Sequence, residues 1–270
     1  MIIRLATSSM KVLIRGGGDL ASGVAWRLHR CGFRVWITEI AQPMAVRRRV
    51  SFSEAVYDGE TSVEGVKARL IRHPKEMDGT WAQGQIPVLV DPEGDSRSTV
   101  RPNVVIDAIL AKKNLNTSIR DADLVIALGP GFEAGKDAHC VVETNRGHNL
   151  GRLLSSGSAE PNTGVPGAVK GISKDRVLRS PSEGMWESPM DIGDPVKQGE
   201  RVGTVAGMPV TAKIDGVLRG LIRPGIQVSE DLKIGDIDPR GVRASCFSIS
   251  DKALAIAGGV LEGILRVHGR

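Results

Sequence analysis

Residues 11–23 read KVLIRGGGDLASG, and this stretch decides the fold. An apolar run at 11–15 leads directly into three glycines, and the apolar residues that follow recur at helical spacing. A second apolar run, at 35–39, ends on Glu39. A strand, a glycine turn, a helix and a second strand within about thirty residues predict the start of a Rossmann-like α/β domain.

The glycine turn is a candidate phosphate-binding site. Glycines there let backbone N–H groups at the helix N-terminus approach a phosphate, and an acid ending the second strand can accept a hydrogen bond from a ribose hydroxyl. The candidate contacts are Gly16, Gly17, Gly18, Asp19, Leu20 and Glu39. Asp19 opposes this interpretation because its charge would repel a pyrophosphate. A turn that only packs helix on strand is the alternative, and both stay open.

Further strands extend a mostly parallel sheet. Short apolar runs lie at 86–90, 104–106, 124–128 and 140–143, and residues 107–113 are predicted to be helical. Loops at the carboxyl ends of such strands bind ligands. Two of these loops carry the next candidates, which are Gly129 and Gly131 in one and Thr144, Asn145, Arg146 and His148 in the other. Amide, guanidinium and imidazole groups recognise an anion or a polar ring, although a polar loop capping the next helix is the alternative.

The remaining candidates are basic or lie in a polar loop. Arg47 and Arg48, together with Arg146, are expected to supply positive charge to phosphate groups. Asn162 and Thr163 belong to a loop that is either a lid bearing ligand contacts or an interdomain linker. Histidines and cysteines are scattered, so no metal site is expected.

The second half of the chain has an all-β rhythm of short apolar segments and tight turns. An approximate internal repeat in it resembles the two halves of a lipoyl/biotinyl barrel-sandwich. The predicted organisation is a disordered extension at 1–9, a Rossmann-like α/β domain at 10–155, a linker at 156–185, the β module at 186–240, and a segment at 241–270. That last segment contains a helix, N-capped by Ser250, which is expected to pack on the α/β domain.

Composition restricts the functional class. Glycine is 33 of 270 residues, aromatic residues are 3%, apolar residues 41% and charged residues 25%, with a net charge of +5. This apolar content excludes a mainly disordered chain, and scarce aromatics give no support for base stacking, so nucleic-acid binding is not expected. The three cysteines form no C-x-x-C pair. No apolar run predicts a signal peptide or a membrane span, so a cytoplasmic location is expected.

Several longer stretches carry a family resemblance. They are IRGGGDLASG (14–23), RRVSFSEAVYDG (48–59), LGPGFEAG (128–135), VETNRGHNLGR (142–152), NTGVPG (162–167) and KIGDIDPRG (233–241). Together they resemble the selenium-dependent molybdenum hydroxylase accessory protein family, YqeB type. The resemblance implies a cytoplasmic role in maturing such hydroxylases, on or around the molybdenum cofactor. It implies no residue roles.

Three hypotheses follow. The first is an accessory protein that binds a nucleotide or a molybdopterin-type cofactor, with the client hydroxylase or other maturation proteins as partners. The second is an NAD(P)-dependent oxidoreductase, in which Glu39 favours NAD because a 2′-phosphate would meet a carboxylate. The third is a non-catalytic scaffold that docks the client. Whether the chain is an enzyme and whether it forms homo-oligomers stay open.

Overall fold

The computed structural model describes residues 9–269, so the extension predicted at 1–9 lies outside the described residues except for its last position. Within them the chain divides into two compact units. Residues up to 43, 51–162 and from 249 form the first unit, and residues 44–50 and 163–248 form the second. None of the described helices is both long and apolar enough to cross a membrane.

The first unit is built on a nine-stranded mixed sheet and a separate two-stranded ribbon. Its strands are β1 (Lys11–Arg15), β2 (Arg34–Glu39), β3 (Glu60–Val63), β4 (Val66–Ile71), β5 (Ile86–Val90), β6 (Val104–Asp107), β7 (Leu124–Leu128), β8 (Glu133–Ala134), β9 (Cys140–Val142), β10 (Leu153–Leu154) and β11 (Gly157–Ser158). Its helices are α1 (Asp19–Arg30), α2 (Ala55–Asp58), α3 (Met77–Ala82), α4 (Ser96–Val100) and α5 (Asp251–His268).

Strand order shows where a ligand site belongs. The large sheet runs β10-β9-β7-β6-β1-β2-β5-β4-β3, and only the edge pairs β10–β9 and β3–β4 are antiparallel. The inner order β5-β2-β1-β6-β7-β9 corresponds to the 3-2-1-4-5-6 order of doubly wound α/β sheets. The predicted α/β class is confirmed, as a sheet that is mostly parallel but has one antiparallel pair at each edge. The order reverses between β1 and β6, and ligands of such sheets bind at the carboxyl ends of the strands there.

The two long helices cover the sheet together. Residues of α1 spaced three and four apart, Leu20, Val24 and Leu28, are buried, as the spacing predicts. Ser250 accepts a hydrogen bond from the Ala253 backbone N–H (3.1 Å) and so caps α5. A Cβ on Gly23 of α1 would lie 2.8 Å from the Ala253 Cβ, so the glycine lets the helices approach. The C-terminal helix therefore packs against α1 within the α/β unit.

Residues 107–113 are not the predicted helix. Asp107 ends β6, and Leu110 and Lys112 adopt positive φ angles of 60° and 63°, which a helix excludes. The Asp107 carboxylate accepts the Ile109 N–H (3.2 Å), and a side chain bonded to nearby backbone competes with helix formation. An irregular loop, residues 108–117, results; we call it the switch-point loop.

The second unit is all-β apart from two short 3-10 helices, Arg48–Val50 and Arg243–Cys246. Its strands are β12 (Val177–Arg179), β13 (Gly184–Glu187), β14 (Pro195–Val196), β15 (Arg201–Val205), β16 (Met208–Thr211), β17 (Gly216–Leu221), β18 (Ile226–Val228) and β19 (Lys233–Asp238). They form two four-stranded antiparallel sheets, β12-β19-β17-β14 and β16-β15-β13-β18. Trp186 is fully buried in their aliphatic core. The predicted β module is confirmed at this level, and the likeness to a lipoyl/biotinyl barrel stays a prediction.

The unit boundaries differ from the predicted ones at two places. Residues 44–50, assigned from sequence to the α/β domain, belong to the second unit, where the Val46 carbonyl accepts the Leu221 N–H (2.7 Å). The predicted linker at 156–185 contains β11, β12 and the start of β13. Both differences arise from pairing between segments far apart in sequence, which composition does not reveal.

Candidate functional site

The three glycines after β1 serve different purposes. A Cβ on Gly16, whose φ is 90°, would lie 3.0 Å from the Ala108 carbonyl oxygen, and a Cβ on Gly17 would lie 3.0 Å from the Ser53 nitrogen. These two glycines therefore admit other parts of the protein's own backbone. Gly18, the N-cap of α1, has an ordinary φ of −66°, and a Cβ there would have no heavy atom within 4 Å beyond its chain neighbours. Only Gly18 faces open space.

Glu39 ties the end of β2 to the glycine turn. Its Oε2 accepts the Gly17 N–H (2.7 Å) and its Oε1 accepts the Ile40 N–H (2.8 Å). Burial raises the pKa of Glu39 above its ordinary value, and the hydrogen bonds from Ile40 and Gly17 act against that rise. The structure thus brings together two sequence candidates, the glycine turn and Glu39, through a contact that the sequence did not reveal.

Replacing Glu39 with alanine is expected to lower the free energy of unfolding by about 1–3 kcal/mol, because two backbone N–H groups lose their acceptor. A raised native pKa means that protonation favours the native state. The proton-linked part of the stability that Glu39 contributes is therefore fully present below its unfolded pKa and is lost as the pH rises through its folded pKa, whereas the two hydrogen bonds persist at pH 7. Urea unfolding of the wild-type chain and of Glu39→Ala should show a difference in the free energy of unfolding that increases from pH 7 towards acidic pH. Glu60→Ala, at an exposed position of β3, is the control, and equal losses in the two variants would contradict this role.

A buried polar cluster lies at the switch point of the sheet. Arg15 ends β1 and Asp107 ends β6, and each side chain is only 2% exposed. Arg15 Nη1 donates to Thr117 Oγ1 (2.5 Å), which donates to Asp107 Oδ2 (2.5 Å). Burial raises the pKa of Asp107, opposed by the bonds from Thr117 and Ile109 and by the Arg15 charge. The sequence does not reveal this cluster because its members are up to 102 residues apart.

The loops after β7 and β9 contact each other. Thr144 packs directly against Gly129, whose φ is 75° and whose missing side chain leaves room for the threonine hydroxyl. Glu143, 3% exposed, accepts the backbone N–H groups of Asn145 (2.6 Å) and Glu160 (2.7 Å). These bonds fix the start of the loop that carries the remaining candidates.

Two polar candidates in that loop bind other side chains of the protein. Asn145 Nδ2 donates to Glu160 (2.6 Å), and Arg146 donates two hydrogen bonds to Asp251 (2.9 and 3.0 Å) at the start of α5. His148 is exposed. Arg146 therefore fixes the loop to α5, which is a different role from the predicted capture of an anion.

Arg47 and Arg48 are not in the α/β unit, which corrects the expectation that they serve its phosphates. Arg47 Nη2 donates to the carbonyls of Ser245 (3.1 Å) and Ser248 (2.9 Å). Arg48 donates to the Leu221 carbonyl (3.1 Å) and pairs with Asp191. All these partners belong to the second unit, so both side chains serve its internal packing.

The other candidates are more dispersed. Asn162 is the last residue of the segment 51–162 of the first unit, and Thr163 is the first residue of the segment 163–248 of the second unit. Both residues are exposed. A division of the chain between these residues favours the linker interpretation over the lid. In the described part of the chain, no three His, Cys, Asp or Glu side chains group closely enough to hold a metal ion.

Comparison with known proteins gives one strong sequence similarity. Over 254 residues the chain is 49% identical to the uncharacterized protein YqeB of Escherichia coli (strain K12). The aligned region covers 94% of this chain and 47% of YqeB. The chain thus spans about half the length of this curated relative, and the resemblance to YqeB is confirmed over that stretch. No protein-family model matches the chain.

Similarities to solved structures are weak. The Escherichia coli tRNA N6-threonylcarbamoyladenosine dehydratase TcdA, in complex with AMP, is 10% identical, with 98% of this chain and 90% of TcdA covered and a TM-score of 0.32. A succinylglutamate desuccinylase/aspartoacylase from Rhodobacter sphaeroides is 13% identical, with 85% of each chain covered and a TM-score of 0.27. TM-scores this low do not establish a common fold.

Proposed function

We propose that the first unit binds a small phosphate-bearing ligand, a nucleotide or a molybdopterin-type cofactor, at the carboxyl ends of its parallel strands. The observation that carries this proposal is Gly18. It caps the 12-residue helix α1 beside the switch point of a doubly wound sheet, and it alone of the three glycines faces open space. No side chain caps α1 there, so its first N–H groups suit an anion. Asp19, in the same turn, is the feature that opposes it.

Gly18→Ala is expected to keep the fold and to lose the ligand. Its φ suits alanine and its surroundings hold no clashing atom, so the loss of stability should stay near the ~1 kcal/mol typical of alanine at an N-cap. A methyl group at the N-cap would occupy space that a phosphate needs for close approach, and we expect affinity to fall at least about tenfold, roughly 1.4 kcal/mol. Titration with ATP by calorimetry and with NADH by fluorescence measures the change.

Gly79→Ala is the matched control, because a Cβ there, in α3, also meets no heavy atom within 4 Å. It should bind like the wild-type chain. The proposal fails if the wild-type chain binds neither ATP nor NADH up to millimolar concentration, or if the Gly18 variant binds as tightly as the control.

An NAD-dependent oxidoreductase is the second candidate, and the position of Glu39 favours it. Glu39 ends β2 beside the glycine turn, where an acid recognises the ribose of NAD. Each carboxylate oxygen has two lone pairs, so Oε2 can accept both the Gly17 N–H and a ribose hydroxyl. Binding of NADH but not NADPH would support this candidate, and equal binding of the two would count against it.

For the whole chain we propose a cytoplasmic accessory role in maturing selenium-dependent molybdenum hydroxylases, with the client hydroxylase or other maturation proteins as partners. Support comes from the quoted motifs, whose resemblance to the accessory protein family implies this role. The second unit, whose paired four-stranded sheets suit a lipoyl-like barrel, would dock the client as a scaffold. Deleting the gene should lower the selenium content and the activity of the hydroxylase, and unchanged values would contradict the role.

A further inference from the structure

We infer that Lys112 and Lys113, in the switch-point loop, supply the positive charge that holds the phosphate of the ligand. This inference rests on the proposed function, and it names the residues through which the site recognises its ligand. The chemical class is a phosphate monoester or diphosphate, whether it belongs to a nucleotide or to a pterin.

The cations expected from the sequence are already paired elsewhere. Arg146 makes two hydrogen bonds to Asp251, and Arg47 and Arg48 bind groups of the second unit. Arg15 is buried with Asp107 and Thr117. A phosphate at the glycine turn therefore needs positive charge from another source. Two acidic residues increase this need, because Asp19 lies in the first turn of α1 and Glu39 binds the Gly17 N–H.

The switch-point loop lies where that charge is needed. A Cβ on Gly16 would lie 3.1 Å from the Ile109 Cα, so the loop starts against the glycine turn. A Cβ on Gly131, whose φ is 107°, would lie 2.6 Å from the Lys113 nitrogen and Cα, so the loop continues against the turn after β7. One loop therefore contacts both turns, at Ile109 against the glycine turn and at Lys113 against the turn after β7.

Both lysine side chains are available to a ligand. Each residue is exposed, and neither forms a hydrogen bond or an ion pair with any other residue in the range 9–269. An ammonium group acts on a phosphate as a compact point charge with three donors. Two such groups would supply positive charge to the anion, and the N-terminus of α1 would supply backbone N–H donors.

The loop is held in one shape by its ends. Asp107 accepts the Ile109 N–H at its start, and Thr117 donates its N–H to Asn114 Oδ1 (2.9 Å) while its carbonyl accepts from Asn114 Nδ2 (2.8 Å). Between these anchors Leu110 and Lys112 keep left-handed backbone angles, which surrounding structure must enforce in residues other than glycine. Anchoring of this kind fixes the backbone from which the two exposed lysine side chains extend.

The test is a titration of the full chain with ATP, adenosine and inorganic pyrophosphate. The variant carries Lys112→Ala and Lys113→Ala, and the control carries Lys67→Ala and Lys75→Ala, two exposed lysines of the same unit. We expect the variant to bind ATP and pyrophosphate about tenfold more weakly, with a shallower dependence on salt, while the control binds like wild type. Binding of adenosine should not differ among the three proteins.

The outcomes separate this inference from the proposed function. Equal ATP affinity in the variant and the wild type overturns the inference and leaves the Gly18 site standing, whereas no binding of ATP or pyrophosphate by the wild type overturns both. If the variant does not fold, acetic anhydride labelling of the wild-type chain decides the matter. ATP should then protect Lys112 and Lys113 but not Lys67 and Lys75, and equal labelling with and without ATP overturns the inference.

Discussion

Asp107→Ala is expected to lower the free energy of unfolding by about 3–5 kcal/mol, the usual result of removing one partner from a buried ion pair. The Arg15 guanidinium, 2% exposed, would lose the carboxylate 3.8 Å from its Nη1, and Thr117 would lose the acceptor of its hydroxyl. Ile109 would also lose the bond that anchors the switch-point loop. Urea unfolding measures the loss, and ATP binding should weaken in proportion to disorder of that loop.

Asp78→Ala provides the matched control. Asp78 pairs with Arg34 at 3.4 Å, but its side chain is 84% exposed, so removing it should change stability by less than about 1 kcal/mol. Losses of similar size in the two variants would show that the Arg15–Asp107 pair is no more important than an exposed one.

Gly259→Ala is expected to destabilise the chain by about 3 kcal/mol, in the upper part of the range for an overpacked core. A Cβ on Gly259 of α5 would overlap the Gly151 carbonyl oxygen and would lie 3.1 Å from Val142 Cγ1. Backbone cannot yield to a new methyl group as a flexible side chain can. Thermal or urea unfolding measures the effect, and loss of the Arg146–Asp251 contact should accompany it because α5 would move.

The neighbouring residue supplies the control. A Cβ on Gly258 would meet only Arg27 Nη1, at 3.4 Å, which is ordinary contact with a side chain. Gly258→Ala should therefore stabilise the chain by about 1 kcal/mol through helix propensity. Stabilisation by both alanines would mean that α5 does not lie against the loop after β9.

The parts of the fold that the sequence predicts correctly are local. The order strand, glycine turn, α1, β2 follows from residues within about thirty positions, where apolar spacing and glycine placement carry the signal. The cap of α5 by Ser250 is local as well, because the hydroxyl bonds an N–H three residues later. The contact between Gly129 and Thr144 follows from the same local signals, because the parallel strands β7 and β9 end at one edge of the sheet.

The parts that the sequence does not predict depend on distant partners. Residues 107–113 are apolar and lysine-rich enough to favour a helix, but Asp107 pairs with Arg15 and Thr117 and takes the Ile109 N–H as well. Arg48 lies near β2 in sequence, yet its guanidinium pairs with Asp191, 143 residues away. Charge alone therefore does not show which arginines are paired within the protein. An Asn-x-x-Thr turn directly after two lysines, following a strand, is the signal that could have indicated Lys112 and Lys113.

Hydrogen–deuterium exchange with and without saturating ATP, repeated with NADH, tests most directly whether the carboxyl edge of the sheet binds a phosphate-bearing ligand. Slower exchange is predicted for backbone amides of the glycine turn and first turn of α1, at 16–22, and of the switch-point loop, at 108–117. Peptides covering β15 and β16 should exchange unchanged. No protection by either ligand, or protection confined to the second unit, would contradict a phosphate site at Gly18.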